Sequence, residues 1–368
     1  MTGSSFDSSK TSGSPRAASR GGRLRTSEQF PLMASLSNHE RTIAISLILA
    51  LFLSQASPAF AYIKFGVPVG GRTVTLKWSQ SPRYFVNTAT VPGVSAADFQ
   101  STVARAFATW EAVPTATIAY ELAGTTSARP TQDDGSSVLG FLDRPDLDRV
   151  LASTDFVIDV TTGALIESDI FFNSAFAWST TGEAGKFDLQ SIALHEIGHF
   201  SGLGHSALGE TELREGGGRR VIAAEAVMFP IAYAAGSTEG RTLKADDIAG
   251  ITEIYPTSDA NTTFGSISGR VTKDGQPVFG AHVVAFDPSN GSMVGGFTLN
   301  NQGSFSIASL SPGPHIIRVE PLDDADTDSF FSNTARVDLN FRVMFVDRVV
   351  VVPRGGDSGS VAIAVIGK

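Results

Sequence analysis

The spacing of apolar and polar positions changes twice along the chain. Residues 1–29 have no apolar period and are rich in Ser, Gly, Thr and Arg. An apolar run then fills 43–53 behind Arg41 and gives way to small residues ending in Ala59-Phe60-Ala61. A basic flank, a short apolar core and an A-x-A site predict a leader and signal peptide over 1–61. The run is short of the roughly 20 residues that cross a bilayer; the alternative is an anchor that is never cleaved. Met33 offers a second start. Between 62 and 258 the two periods mix. Phe99, Val103, Phe107 and Trp110 recur at helical spacing over 97–112, behind Ser95 as N-cap. Apolar positions predict two more helices, over 188–203 and 244–255. Residues 73–78, 118–122, 156–160 and 169–173 read as strands. From about Thr263 short β-rich runs alternate with turn clusters such as Lys273-Asp274-Gly275 and Ser311-Pro312-Gly313. Further runs lie at 342–346, 348–352 and 360–366. That texture predicts a β-sandwich over 264–368, joined by a polar linker at 258–263. The fold class is α+β, a sheet with helices followed by a sandwich.

Composition narrows the chemistry. With 368 residues, 42% of them hydrophobic, the chain is long enough for two packed domains. A net charge of −9 argues against nucleic acid as a partner. There is no cysteine, which excludes disulfides, thiolate zinc sites and thiol catalysis. No second long apolar run follows residue 61, so no stable membrane span is expected after signal cleavage.

The informative segment is His195-Glu196-Ile197-Gly198-His199-Phe200-Ser201-Gly202-Leu203-Gly204-His205. On a helix, residues four apart share a face, so His195 and His199 present two imidazoles to one ion. Glu196 stands beside that ion as a general base requires. Gly202 permits a left-handed residue, ends the helix and lets the chain turn back with His205. Three imidazoles leave the fourth tetrahedral position open, the mark of a catalytic Zn2+.

This segment resembles the extended zinc signature of the metzincin metallopeptidases. Met228, 23 residues after His205, stands in Val227-Met228-Phe229-Pro230-Ile231-Ala232-Tyr233, which is similar to a Met-turn. Pro230, Tyr233, residues 105–110, Asp188-Leu189-Gln190 and Asp246-Asp247-Ile248 resemble the matrixin branch over about residues 70–257. The resemblance implies a metzincin-like catalytic domain over 62–258, a twisted sheet plus an active-site helix. It also implies that Met228 floors the metal site and that Pro230 and Tyr233 wall the S1′ pocket. Tyr233 follows Met228 by five residues, one more than the family pattern. An extended substrate would lie along an edge strand, for which 169–173 and 137–141 are the candidates. Residues 264–320 resemble a carboxypeptidase regulatory-like domain, which implies a transthyretin-like sandwich.

The activity so implied is that of a secreted zinc metalloendopeptidase, extracellular or periplasmic, acting on proteins or peptides. A zinc-bound water would attack the peptide bond, with Glu196 as general base. The competing class is a cell-surface binding or adhesion protein with an inactive peptidase fold. Without cysteine, a thiol cannot hold the enzyme latent. His39, His282 and His315 all lie outside 62–258, so a second, structural zinc is not expected. Asp133, Asp134, Asp143, Asp146 and Asp148 offer hard oxygens to Ca2+, but a solvated acidic loop is the favoured reading of them. The C-terminal domain is expected to assist folding or to bind a surface or substrate.

Overall fold

The computed structural model describes residues 23–26, 64–69, 72–215, 218–331 and 336–368. The first domain contains β1 (Arg23–Thr26), β2 (Gly66–Val69), β3 (Arg72–Thr75), β4 (Arg83–Asn87), α1 (Ala96–Glu111), β5 (Glu121–Thr126), β6 (Ser137–Leu142), β7 (Ala152–Asp159) and β8 (Ala164–Asn173). It continues with β9 (Trp178–Ser179), β10 (Phe187–Asp188), α2 (Leu189–Phe200), β11 (Gly209–Leu213), β12 (Arg219–Ala224) and α3 (Ala245–Ile254). One sheet runs in the order β1-β7-β8-β6-β4-β5. Strands β8, β6, β4 and β5 are parallel, and β7 is antiparallel to β8. Every residue of β6 is buried, as a central parallel strand with neighbours on both sides must be.

That order corrects the edge-strand expectation. Both 137–141 and 169–173 lie inside the sheet, in β6 and β8; the strand outside them is β7. β1 pairs antiparallel with β7, Arg23 opposite Asp159 and Thr26 opposite Phe156. Apart from this strand, the expected leader and signal peptide over 1–61 lie outside the described residues.

The predicted helices form within a few residues of their expected ends. Ser95 caps α1 by accepting the Asp98 N–H, and Phe99, Val103, Phe107 and Trp110 are buried. Residues 118–122 are not the expected strand. β5 begins only at Glu121, because the preceding backbone is drawn to the end of α3, where Thr117 N–H donates to Tyr255 O at 2.7 Å. The polar, Gly-rich stretch 209–225 carries the antiparallel hairpin β11–β12.

A four-residue helix, α4 (Ala260–Thr263), occupies the predicted linker. Then follow β13 (Gly265–Lys273), β14 (Gln276–Pro277), β15 (His282–Phe286), β16 (Met293–Phe297), β17 (Ser304–Leu310), β18 (Gly313–Glu320), β19 (Met344–Phe345), β20 (Val350–Val352) and β21 (Asp357–Val365). One sheet has β13 paired with β14, β17 and β21; the other joins β16, β15, β18, β19 and β20. Alternate residues of β13 and β18 point inward, so Ile267, Val271, Ile317 and Val319 meet in the sandwich core. The buried apolar cluster is continuous from Trp110 and Ile197 in the first domain to Val283 and Ile307 in the second. Among the described residues, no helix is long and apolar enough to cross a membrane.

Candidate metal centre

Helix α2 places the first two imidazoles. Asp188 caps it, accepting the Ser191 N–H at 2.9 Å and the Ser191 hydroxyl at 2.7 Å. Apolar side chains on α2 hold it in the core, and Trp110 Nε1 donates to Leu194 O at 2.8 Å. His195 and His199 lie one turn apart on its inner face. The helix stops as predicted: Gly202 has φ +99°, and a Cβ there would collide with Leu76 O. Gly202 N–H donates back to His199 O and Leu203 N–H to Gly198 O, and the chain reverses to bring in His205.

The potential ligand atoms of His195, His199 and His205 all lie within 4.8 Å of one another. Each ring has its Nδ1 against a backbone carbonyl. His195 reaches Val227 O at 2.7 Å, His199 reaches Leu203 O at 2.8 Å, and His205 reaches Ser329 O at 2.6 Å. A carbonyl only accepts, so each Nδ1 carries the proton and each Nε2 presents a lone pair. His199 Nε2 and His205 Nε2 face each other at 3.2 Å. Two lone pairs at that distance need a shared electrophile. Among the described residues, buried His195 Nε2 finds no hydrogen-bond partner. A tetrahedral ion with ligands about 2.0–2.1 Å away sets nitrogens roughly 3.3 Å apart, so this donor set fits zinc.

Burial shapes the electrostatics. All three rings are at most 2% exposed. Burial pulls His195 down to about 3, with His205 adding to the effect, and pulls His205 down to about 4. His199 is also pushed well below its ordinary value, first by burial and then by its two neighbours. Neutral imidazole is the form that ligates metal. Glu196 is wholly buried and pushed up to about 8 by burial, with Asp155 adding and the Thr154 hydroxyl opposing. Thr154 Oγ donates to Glu196 Oε2 at 2.7 Å, while Oε1 finds no hydrogen-bond partner among the described residues.

Met228 lies under α2, where a Cβ at Gly198 would overlap its sulfur. Its turn is held by Asp247, which accepts the N–H groups of Val227 and Met228 at 2.8 and 3.1 Å. Pro230 is buried. Tyr233 lines a recess of about 40 Å³ that also touches His195, Val227, Phe229 and Ile231, and its hydroxyl accepts the Ala224 N–H at 3.0 Å. Of the loop aspartates, Asp146 pairs with Arg144 at 2.7 Å and Asp134 accepts the Ser136 N–H at 2.9 Å. Among the described residues, the three histidines are the group of at least three ligand-type side chains that could hold one ion. Sequence reasoning missed Thr154, Ser329 and the role of Asp247. Ser329 acts through its carbonyl, which leaves no mark in a sequence.

A model of the family described as matrixin matches residues 77–213, which include all three histidines and Glu196 and stop short of Met228. The chain carries a matrixin domain. A carboxypeptidase regulatory-like domain follows at 266–340. "Metalloendoproteinase 1" of Glycine max is 30% identical over 179 residues, 43% of this chain and 45% of that protein. The match therefore spans less than half of that relative's length. Two solved structures resemble shorter parts of the chain. The minor pilin GBS52 of Streptococcus agalactiae is 12% identical, covering 29% of this chain and 45% of its own, with a TM-score of 0.20. The Bacillus anthracis TIE protein is 14% identical, covering 28% and 17%, with a TM-score of 0.18. The matrixin domain thus rests on the family match and the plant relative.

Proposed function

We propose that the chain is a secreted zinc endopeptidase. The observation that supports this most is the convergence of three Nε2 lone pairs, each fixed by a carbonyl on the opposite ring nitrogen. His195, His199 and His205 hold the ion. Zinc there supplies Lewis acidity and acidifies water.

Glu196 is the general base. It takes the proton of the attacking water and returns it to the leaving amine. Thr154 fixes one carboxylate oxygen and leaves the other to face the reaction. Met228 fills the floor, and the recess walled by Tyr233, with Pro230 in the same turn, takes a side chain beside the cleaved bond. An extended peptide adds to the outer edge of β7, where main-chain hydrogen bonds give affinity without side-chain selection. Export uses the signal peptide over 1–61; its removal also removes β1 from that edge.

Glu196→Gln is expected to keep one zinc per chain and lose casein cleavage by at least a hundredfold. His199→Ala is expected to lose both. Metal analysis and a cleavage assay on the two variants check this. An active Glu196→Gln protein removes the base from the mechanism, and a zinc-loaded wild type that cleaves nothing favours the binding-protein reading.

A further inference from the structure

The three imidazoles are not held alike. The carbonyls behind His195 and His199 belong to Val227 and Leu203, within about thirty residues of the rings they hold. The one behind His205 belongs to Ser329, 124 residues further on, between β18 and β19 of the C-terminal sandwich. We propose that the C-terminal domain completes the metal centre: the Ser329 carbonyl is the positioning group that fixes the tautomer and direction of the third ligand. The inference rests on the zinc reading above and adds a second domain to it.

The carbonyl is presented by a built element. Residues Thr327–Ser329 form a 3-10 turn, in which the Phe330 and Phe331 N–H groups donate to Thr327 O at 3.1 and 2.9 Å. Both phenylalanines are buried. Phe330 meets the His205 ring edge-on at 6.3 Å, and both pack on Phe297 of β16, at 5.7 and 5.8 Å. Phe229 and Ile231, from the turn that carries Met228, belong to the same apolar cluster. A second anchor lies on the hairpin inserted between His205 and Met228: Asp324 accepts the Thr211 N–H at 2.8 Å, and its carbonyl accepts the Thr211 hydroxyl at 2.6 Å. The turn is thus gripped on both sides of the third ligand. An imidazole that lost this carbonyl could flip its tautomer or rotate, and its Nε2 would leave the ion. Loss of such an outer partner weakens metal binding by roughly 10–100-fold.

The test uses the full chain. Zinc affinity is measured by competition with a chromophoric chelator, and ligand geometry by the visible spectrum of the cobalt-substituted protein. Hydrogen exchange at the Phe330 and Phe331 amides reports whether the turn is formed. Phe330→Ala/Phe331→Ala is expected to lose amide protection, bind zinc at least tenfold more weakly and shift the cobalt spectrum. Phe330→Leu/Phe331→Leu, which keeps the apolar anchor, is expected to restore all three. A loosened turn with zinc affinity within twofold of wild type overturns the inference. Where the alanine variant still protects the turn, replacement of 327–331 by Gly-Ser-Gly-Ser-Gly is read by the same two criteria. A wild-type chain that binds no zinc instead overturns the metal reading itself, and the two failures are distinguishable.

Discussion

Thr154 is the side chain that works against burial at Glu196. Burial raises the glutamate to about 8 and Asp155 adds to the rise; the Thr154 hydroxyl lowers it. A general base must be ionised to accept a proton. Thr154→Val removes the favourable hydrogen bond, so ionisation of Glu196 moves to higher pH. The acid limb of kcat/KM is expected to shift upward, with turnover below that limb falling about tenfold per unit gained. A pH–rate profile of the variant checks this, and an unmoved limb contradicts it. At this scale the sequence was informative where chemistry demands a residue type. His195, Glu196, His199 and His205 announce themselves by spacing, and Gly202 by the left-handed turn it allows. Thr154 does not, because one hydroxyl in a strand of mixed polarity has no pattern of its own.

Among the elements, α3 has a double task. Asp247 in its first turn holds the N–H groups of Val227 and Met228, and Asp246 beside it accepts the Gly295 N–H of β16 at 2.7 Å. Burial raises Asp246 from 3.8 to about 7, with Asp247 adding and the Ser206 hydroxyl opposing. Its folded-state value lies above its unfolded one. Its contribution to stability is therefore present below 3.8 and is lost as pH rises through about 7. Asp246→Asn keeps an oxygen acceptor and does not titrate. From pH 6 to pH 8 the metal-free wild type is expected to lose urea stability relative to this variant; the reverse trend contradicts the assignment. The helices themselves were legible from their apolar positions, although only α1 buries a 3.6-residue stripe; α2 is buried at nearly every position. The edge strand was not. β6 and β8 read as plausible edges until pairing is known, because burial by neighbouring strands is a property of the sheet and not of the segment. The β11–β12 hairpin was hidden by polar, Gly-rich composition, and docking on Asp324 supplies what its own sequence does not.

Across the whole molecule, the change of texture near residue 263 gives the expectation of two domains. What the texture could not convey is how closely they join. The apolar core runs through both, and the third histidine donates its Nδ1 hydrogen to a carbonyl on the far side of the interface. Contacts separated by 124 residues leave no local period to read. The proposed centre brings three imidazoles, drawn from α2 and the turn after it, onto one zinc ion. X-ray absorption at the zinc edge of the full chain, loaded with one equivalent, tests it most directly. Three imidazole nitrogens at about 2.0–2.1 Å and one further light atom are expected, falling to two imidazoles in His205→Ala. A zinc environment that is unchanged by His205→Ala would contradict it.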